Sequence, residues 1–123
     1  MTRKFDTKQE EFWAGKFGEE YISRNTLEEL LASNLWFFSK ALARVDNLSS
    51  VIEFGTNIGN NLYALHQLFP NIESTGIEIN KKAIDFINLD LSSARCPTKL
   101  VFLSFSSFIF FFIIFFVRRF VFY

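Results

Sequence analysis

Apolar positions along this chain change period twice. From Leu27 to Leu42 they fall at helical spacing, with Leu27, Leu30, Leu31, Leu35, Phe38 and Leu42 on one stripe. Thr26-Leu27-Glu28-Glu29 at its head is a capping-box pattern, in which the threonine caps a backbone amide and Glu29 reaches back to the cap. This helix is predicted to end near Arg44. Upstream, residues 11–24 mix aromatics, glycines and charges, which predicts one or two short helices; residues 1–10 are polar and predicted to fray. After the loop at 46–50 the pattern becomes a short continuous apolar run, Val51 to Phe54, suited to a central parallel strand covered on both faces. Gly55 to Gly59 then reads as a turn. The next helix is predicted to start at Asn60 or Asn61, to bury Leu62, Leu65, Leu68 and Phe69, and to stop at Pro70. Residues 72–79 hold a second strand. Asn80 is placed to cap another helix, with Ala83, Ile84, Ile87 and Leu91 inward and Lys81, Lys82 and Asp85 outward. Cys96-Pro97 breaks that helix, and residues 98–103 read as a third strand.

Helices followed by strand-helix-strand-helix-strand give an α/β class. Right-handed crossovers would lay the strands side by side in parallel, in the order 3-2-1. The expected architecture is the N-terminal half of a Rossmann-like sheet. It divides the chain into a helical segment at 1–50, a partial Rossmann-like domain at 51–103 and an apolar Phe-rich tail at 104–123.

Candidate chemistry sits where the period changes. Val51-Ile52-Glu53-Phe54-Gly55-Thr56-Asn57-Ile58-Gly59-Asn60 is a strand, a glycine turn and a helix start. Gly76-Ile77-Glu78-Ile79-Asn80 is a strand ending in an acid. Glycines let backbone approach a ligand, and an acid at the end of the second strand can accept hydrogen bonds from ribose hydroxyls. A dinucleotide fingerprint needs G-x-G-x-x-G, and here Asn57 and Asn60 stand at the second and third glycine positions. Glu53, two residues before the first glycine, instead makes the stretch resemble motif I of class I S-adenosylmethionine-dependent methyltransferases. Asn57 replaces that motif's middle glycine and also tolerates left-handed backbone. Glu78 lies nineteen residues after Gly59, near the spacing of a ribose-binding acid.

Phe12-Trp13-Ala14-Gly15-Lys16-Phe17-Gly18-Glu19-Glu20-Tyr21-Ile22-Ser23-Arg24-Asn25, followed by Glu53-Phe54-Gly55-Thr56-Asn57-Ile58-Gly59-Asn60-Asn61-Leu62, resembles the pseudaminic acid biosynthesis-associated methylases over roughly residues 8–100. That resemblance implies S-adenosyl-L-methionine as cofactor and a sugar or sugar nucleotide of nonulosonic acid biosynthesis as methyl acceptor. The cofactor-contacting positions it implies are Glu53, Gly55, Thr56, Asn57, Gly59, Glu78 and Ile79. Glu53 has a second reading, orienting the turn without touching ligand. Segments like the N-terminal one fold over the cofactor in related enzymes, so Arg24 can be read as a partner for the methionine carboxylate or as a solvated helix charge. No residue is identifiable as catalytic.

Composition narrows the classes. Thirteen basic and thirteen acidic residues cancel, which gives no electrostatic case for nucleic acid. The lone Cys96 excludes an internal disulfide, and no metal-ligand spacing or Ser-His-Asp set is visible. His66 reads as structural or exposed. The first six residues lack the apolar run of a signal peptide, so the expected compartment is the cytoplasm.

The tail changes the picture. The eighteen residues 100–117 carry no charge, and ten of the eighteen phenylalanines lie beyond residue 100. Three readings stand. Residues 100–117 could be a membrane anchor closed by Arg118-Arg119, at the short end of what spans a bilayer. They could form buried core strands, although no turn signal divides them. They could be the T-rich codon product of a reading-frame shift after about residue 103, where the resemblance ends; this is the favoured expectation. On that reading part of the cofactor cleft is kept, the acceptor wall is lost, and methyl transfer is weak or absent. The class opposed to an enzyme is a non-enzymatic, membrane-associated remnant or interaction protein, with an NAD-dependent oxidoreductase a distant third.

Overall fold

A computed structural model describes residues 5, 7–93, 98–102 and 114–117. Helices α1 (Lys8–Ala14), α2 (Lys16–Arg24) and α3 (Leu27–Ala41) precede strand β1 (Ser50–Phe54). Then follow α4 (Asn60–Leu68), β2 (Glu73–Glu78), α5 (Lys81–Ser93), β3 (Thr98–Phe102) and β4 (Ile114–Val117). The sheet order is β3-β2-β1-β4. The first three strands are parallel, in the expected 3-2-1 order, and β4 runs antiparallel to β1.

The N-terminus departs from expectation. Helix α1 begins inside the segment predicted to fray, because Thr7 and Glu10 form a reciprocal capping box: Glu10 N donates to Thr7 Oγ1 (3.1 Å) and Thr7 N to Glu10 Oε2 (2.9 Å). The box expected at Thr26 is absent. There the hydroxyl donates to Glu29 Oε2 at 3.0 Å and makes no bond to a helix amide. Both sequences satisfy the pattern, and side-chain pairing decides which one caps.

The core lies between α3, α4 and the sheet. Leu62, Ala64 and Leu65 of α4 are fully buried, joined by Phe38, Leu42, Leu48, Val51 and Ile72, with Leu31, Leu35, Leu68 and Phe69 packed at its margin. Burying a Leu of this kind is worth roughly 2–3 kcal/mol. Helix α5 packs along β2 and β3 through a separate apolar face that includes Ala83, Ile84 and Ile87. Asn80 starts it as expected, its Oδ1 accepting from Lys82 N (3.0 Å) and Ala83 N (3.2 Å). His66 is buried, and its Nε2 shares a hydrogen bond with Ser74 Oγ (2.9 Å), which meets Thr98 Oγ1 (2.8 Å). This chain of polar groups links α4, β2 and β3 near the start of the strands.

The second edge of β1 carries β4. Residues 114–117 pair with residues 50–53, Ser50 opposite Val117 and Glu53 opposite Ile114. An unpaired strand edge is a template for β-prone sequence, and a Phe- and Ile-rich segment supplies it. The rest of the tail, and Cys96-Pro97, lie outside the described residues. Among the described residues no helix is long and apolar enough to cross a membrane.

Candidate functional site

The carboxyl ends of β1 and β2 form the floor of the site. Chain leaving β1 must turn sharply into α4, and three positions take left-handed backbone: Gly55 (φ 73°), Asn57 (φ 49°) and Gly59 (φ 81°). These are the three places where the motif puts glycine, and Asn57 adopts the geometry expected of it. The turn is tied to β2 by Gly55 N and Thr56 N, both donating to the Ile77 carbonyl (2.7 and 3.2 Å). Close packing reinforces the tie. A Cβ on Gly76 would stand 2.8 Å from Thr56 Cγ2 and 3.2 Å from Leu62 Cδ1.

Glu53 is 1% exposed. Its carboxyl accepts from Thr56 Oγ1 (2.9 Å) and Asn61 Nδ2 (2.6 Å), gripping both ends of the turn. Burial pushes its pKa up to about 7; the bonds from Asn61 and Thr56 oppose the rise, and the nearby Glu78 charge adds to it. These two bonds hold the turn, and Glu53 also lines the cleft. Glu78 takes a different set of donors, all backbone. Its Oε2 accepts from Asn57 N (2.7 Å), and its Oε1 from Ile79 N (2.7 Å) and Asn80 N (2.8 Å).

Two adjoining cavities open above this floor. One of about 110 Å3 is lined by Trp13, Gly18, Tyr21, Phe54, Glu78 and Asn80. Another of about 140 Å3 is lined by Asn25, Asn34, Glu53, Thr56, Asn60 and Asn61. Tyr21, Gly55 and Asn57 border both, so the two are lobes of one cleft.

The α1–α2 hairpin is the roof. Its rings interlock: Trp13 meets Phe17 and Tyr21 edge-on, with centroids 5.3 and 5.6 Å apart. Asn80 Nδ2 donates to the Trp13 carbonyl (3.0 Å), Asn60 Nδ2 donates to the Asn25 carbonyl (2.8 Å), and Lys82 Nζ pairs with Glu19 (2.6 Å). Gly18 allows the close approach, since a Cβ there would collide with the Trp13 carbonyl oxygen and stand 2.6 Å from Asn80 Nδ2.

Of the residues marked from the sequence, Glu53, Gly55, Thr56, Asn57 and Glu78 line the cleft. Gly59 is the N-cap of α4, and Ile79 is buried, its amide bonded to Glu78. Arg24 is not brought there. It is exposed, with its guanidinium carbon 5.4 Å from the Phe17 ring centroid and its Nε donating to the Glu20 carbonyl at 3.4 Å. Cation–π stacking at the end of α2 holds it away from the turn. Asn25, Asn34 and Asn61 also line the cleft, and no motif marks them as site residues. A density of asparagines around the turn was the available signal, but Asn25 and Asn34 come from other helices.

No family model matches the chain, and no curated protein matches it. Solved structures do. Plantazolicin methyltransferase BpumL, in complex with a monoazolic desmethylPZN analog and SAH, superposes with a TM-score of 0.53 at 19% identity, over 80% of this chain and 40% of that one. A structure from Staphylococcus aureus ascribed to a caffeoyl-CoA O-methyltransferase gives a TM-score of 0.51 at 16% identity, over 77% of this chain and 50% of that one. The fold is a partial Rossmann-like fold, similar to the matched part of those structures. The chain spans about 40% of the length of BpumL and half that of the S. aureus protein, so the likeness covers part of each.

Proposed function

We propose that this chain carries the cofactor-binding half of a methyltransferase that uses S-adenosyl-L-methionine. The observation that carries the reading is the two-lobed cleft at the ends of β1 and β2, with Glu78 on one wall and a left-handed Gly55–Asn57–Gly59 turn beneath. An adenosyl amino acid is a long ligand with a ribose diol and an amino-acid end, and it suits two joined lobes. Glu78 Oε2 accepts a single amide, which leaves it capacity for a hydroxyl donor. The fold's likeness to a methyltransferase solved with SAH supports the same reading.

A dinucleotide suits the cleft less well. Its pyrophosphate would sit at the start of α4, above the Glu53 carboxyl and against side chains at two positions that the fingerprint reserves for glycine. When bound, S-adenosyl-L-methionine supplies an electrophilic methyl on sulfur; the chain's own residues supply position. Trp13 and Tyr21 exclude water from the lobe beside Glu78, and Glu53 fixes the turn.

In this reading α1 and α2 make the roof, and the ends of β1 and β2 make the floor. We further propose a sugar or sugar nucleotide as acceptor, a reading supported only by the resemblance of residues 12–25 and 53–62. The non-enzymatic membrane reading draws no support from the described residues. Titration calorimetry tests the proposal: the chain is expected to bind S-adenosyl-L-homocysteine and not NAD. Binding of NAD alone, or of neither, would overturn it.

A further inference from the structure

Helix α3 has three flanks, and two of them are occupied. Leu31, Leu35 and Phe38 pack into the core, and Leu30 and Asn34 border the cleft. The third carries Glu28, Ala32, Trp36 and Lys40, all exposed. Residues four apart form one ridge along a helix, so these four make a row running about 18 Å from an acid to a base. Trp36 is 67% exposed, more than any other large apolar side chain among the described residues. Tryptophan is enriched among the residues that anchor protein interfaces.

The groups beside it suit a dry contact. Ser33 Oγ donates to the Leu30 carbonyl (2.9 Å) and Ser39 Oγ to the Trp36 carbonyl (2.8 Å), so both hydroxyls are turned back onto their own helix. The charges lie at the ends of the row. Among the described residues neither Glu28 nor Lys40 takes part in an ion pair. The helix dipole accounts for an acid in the first turn and a base in the last. It does not account for their sharing a row with an exposed tryptophan.

The order of residues in the row selects its occupant. When a second copy of α3 lies antiparallel on the first, with a two-fold axis level with Asn34, Glu28 of each copy stands opposite Lys40 of the other. Each Trp36 then stands opposite an Ala32, whose methyl leaves room for the indole. A parallel pairing would set acid on acid and indole on indole. We infer that the Glu28–Ala32–Trp36–Lys40 ridge is a self-association surface, on which two copies of this chain form an antiparallel, two-fold symmetric dimer. The contact is one helix on one helix, smaller than a standard interface, so the dimer is weak and reversible. No residue of the ridge lines either lobe of the cleft, so pairing and ligand binding do not compete.

Sedimentation velocity on the whole chain, from micromolar to millimolar concentration, tests this. The parent is expected to pass from monomer to dimer across that range. Trp36→Ala should weaken the dimer by about tenfold or more and keep the parent's urea midpoint, since this side chain lies in water in the monomer. Two charge variants decide the geometry. Lys40→Glu makes the row acidic at both ends and Glu28→Lys makes it basic at both, so each alone should associate several-fold more weakly than the parent. Mixed in equal amounts, they should pair with each other about as tightly as the parent pairs with itself, a result that does not depend on Trp36→Ala folding. A parent that stays monomeric throughout overturns the inference, as does a mixture that associates no more tightly than either variant alone. Association that persists unchanged in Trp36→Ala also overturns it, and would assign self-association to another surface.

Discussion

Glu53 and Glu78 lie near the ends of neighbouring parallel strands, are both almost fully buried, and are held in different ways. Glu53 accepts from two side chains, Thr56 and Asn61, and burial raises its pKa to about 7. Glu78 accepts from three backbone amides and lines the lobe roofed by Trp13 and Tyr21. The first is a clamp between the two ends of a turn. The second organises the loop behind it and lines one lobe of the cleft, while Glu53 lines the other. Similar acids at similar heights in one sheet are thus held by different kinds of donor.

Removing Glu78 should have the largest effect. Glu78→Ala leaves three amides without their acceptor, at about 1–3 kcal/mol for each that stays dry, so a loss on the order of 4 kcal/mol is expected in urea unfolding. If Glu78→Ala unfolds within 1 kcal/mol of the parent, the loop does not depend on that carboxylate.

The pH profile separates the two acids next. A carboxyl whose folded pKa is raised from 4.5 to about 7 holds its proton in the folded chain while the unfolded chain has lost it. Its stabilising contribution is complete below about pH 4.5 and fades as pH rises through about 7, by roughly 3 kcal/mol in total. Glu53→Gln should therefore be more stable than the parent at pH 8, and should lack this decline. His66 acts with the opposite sign. Burial lowers its pKa, so stability tied to it is present above the usual imidazole value and falls as pH drops below it. Denaturation curves of parent and Glu53→Gln between pH 4 and 8 should differ by the Glu53 contribution alone; parallel curves would mean that Glu53 is not raised.

Gly76→Ala probes what holds the turn against β2. The new methyl would meet Thr56, which must shift and so loosen its bond to Glu53. Overpacking of this kind costs about 2 kcal/mol, visible as a lowered thermal midpoint. The smallest effect belongs to Asn57, whose left-handed backbone is strained for most residues. Asn57→Gly should match or exceed the parent in midpoint, and Asn57→Ala should lose about 1 kcal/mol. Equal midpoints for the two variants would show that the turn relaxes out of that geometry.

Legibility in the sequence varied by residue. Asn57 could be read because a positive φ is demanded locally, by a sharp strand-to-helix turn, and only a few residue types accept it. Asn80 could be read as a cap because capping involves neighbours two and three positions away. The two capping-box sequences show where such reading ends: Thr7 and Glu10 form the box, and Thr26 and Glu29 bond to each other. The pairing of residues 114–117 with β1 spans more than sixty positions, and no local period announces it. Arg24 could be expected near a ligand from its place in a family-like segment, yet its stacking on Phe17 sends it to solvent.

By itself the sequence determined the order of elements as far as β3, the parallel 3-2-1 strands, the left-handed turn and the acid that closes β2. Each follows from spacing and backbone preference within a few residues. Tertiary structure alone decided which donors hold each acid, that Glu53 and Glu78 line different lobes, and that α1 and α2 roof the cleft. Those outcomes depend on desolvation and on donors arriving from distant elements, such as Asn25 to Asn60 or Trp13 to Asn80. Proximity of that kind exists only once the chain has packed.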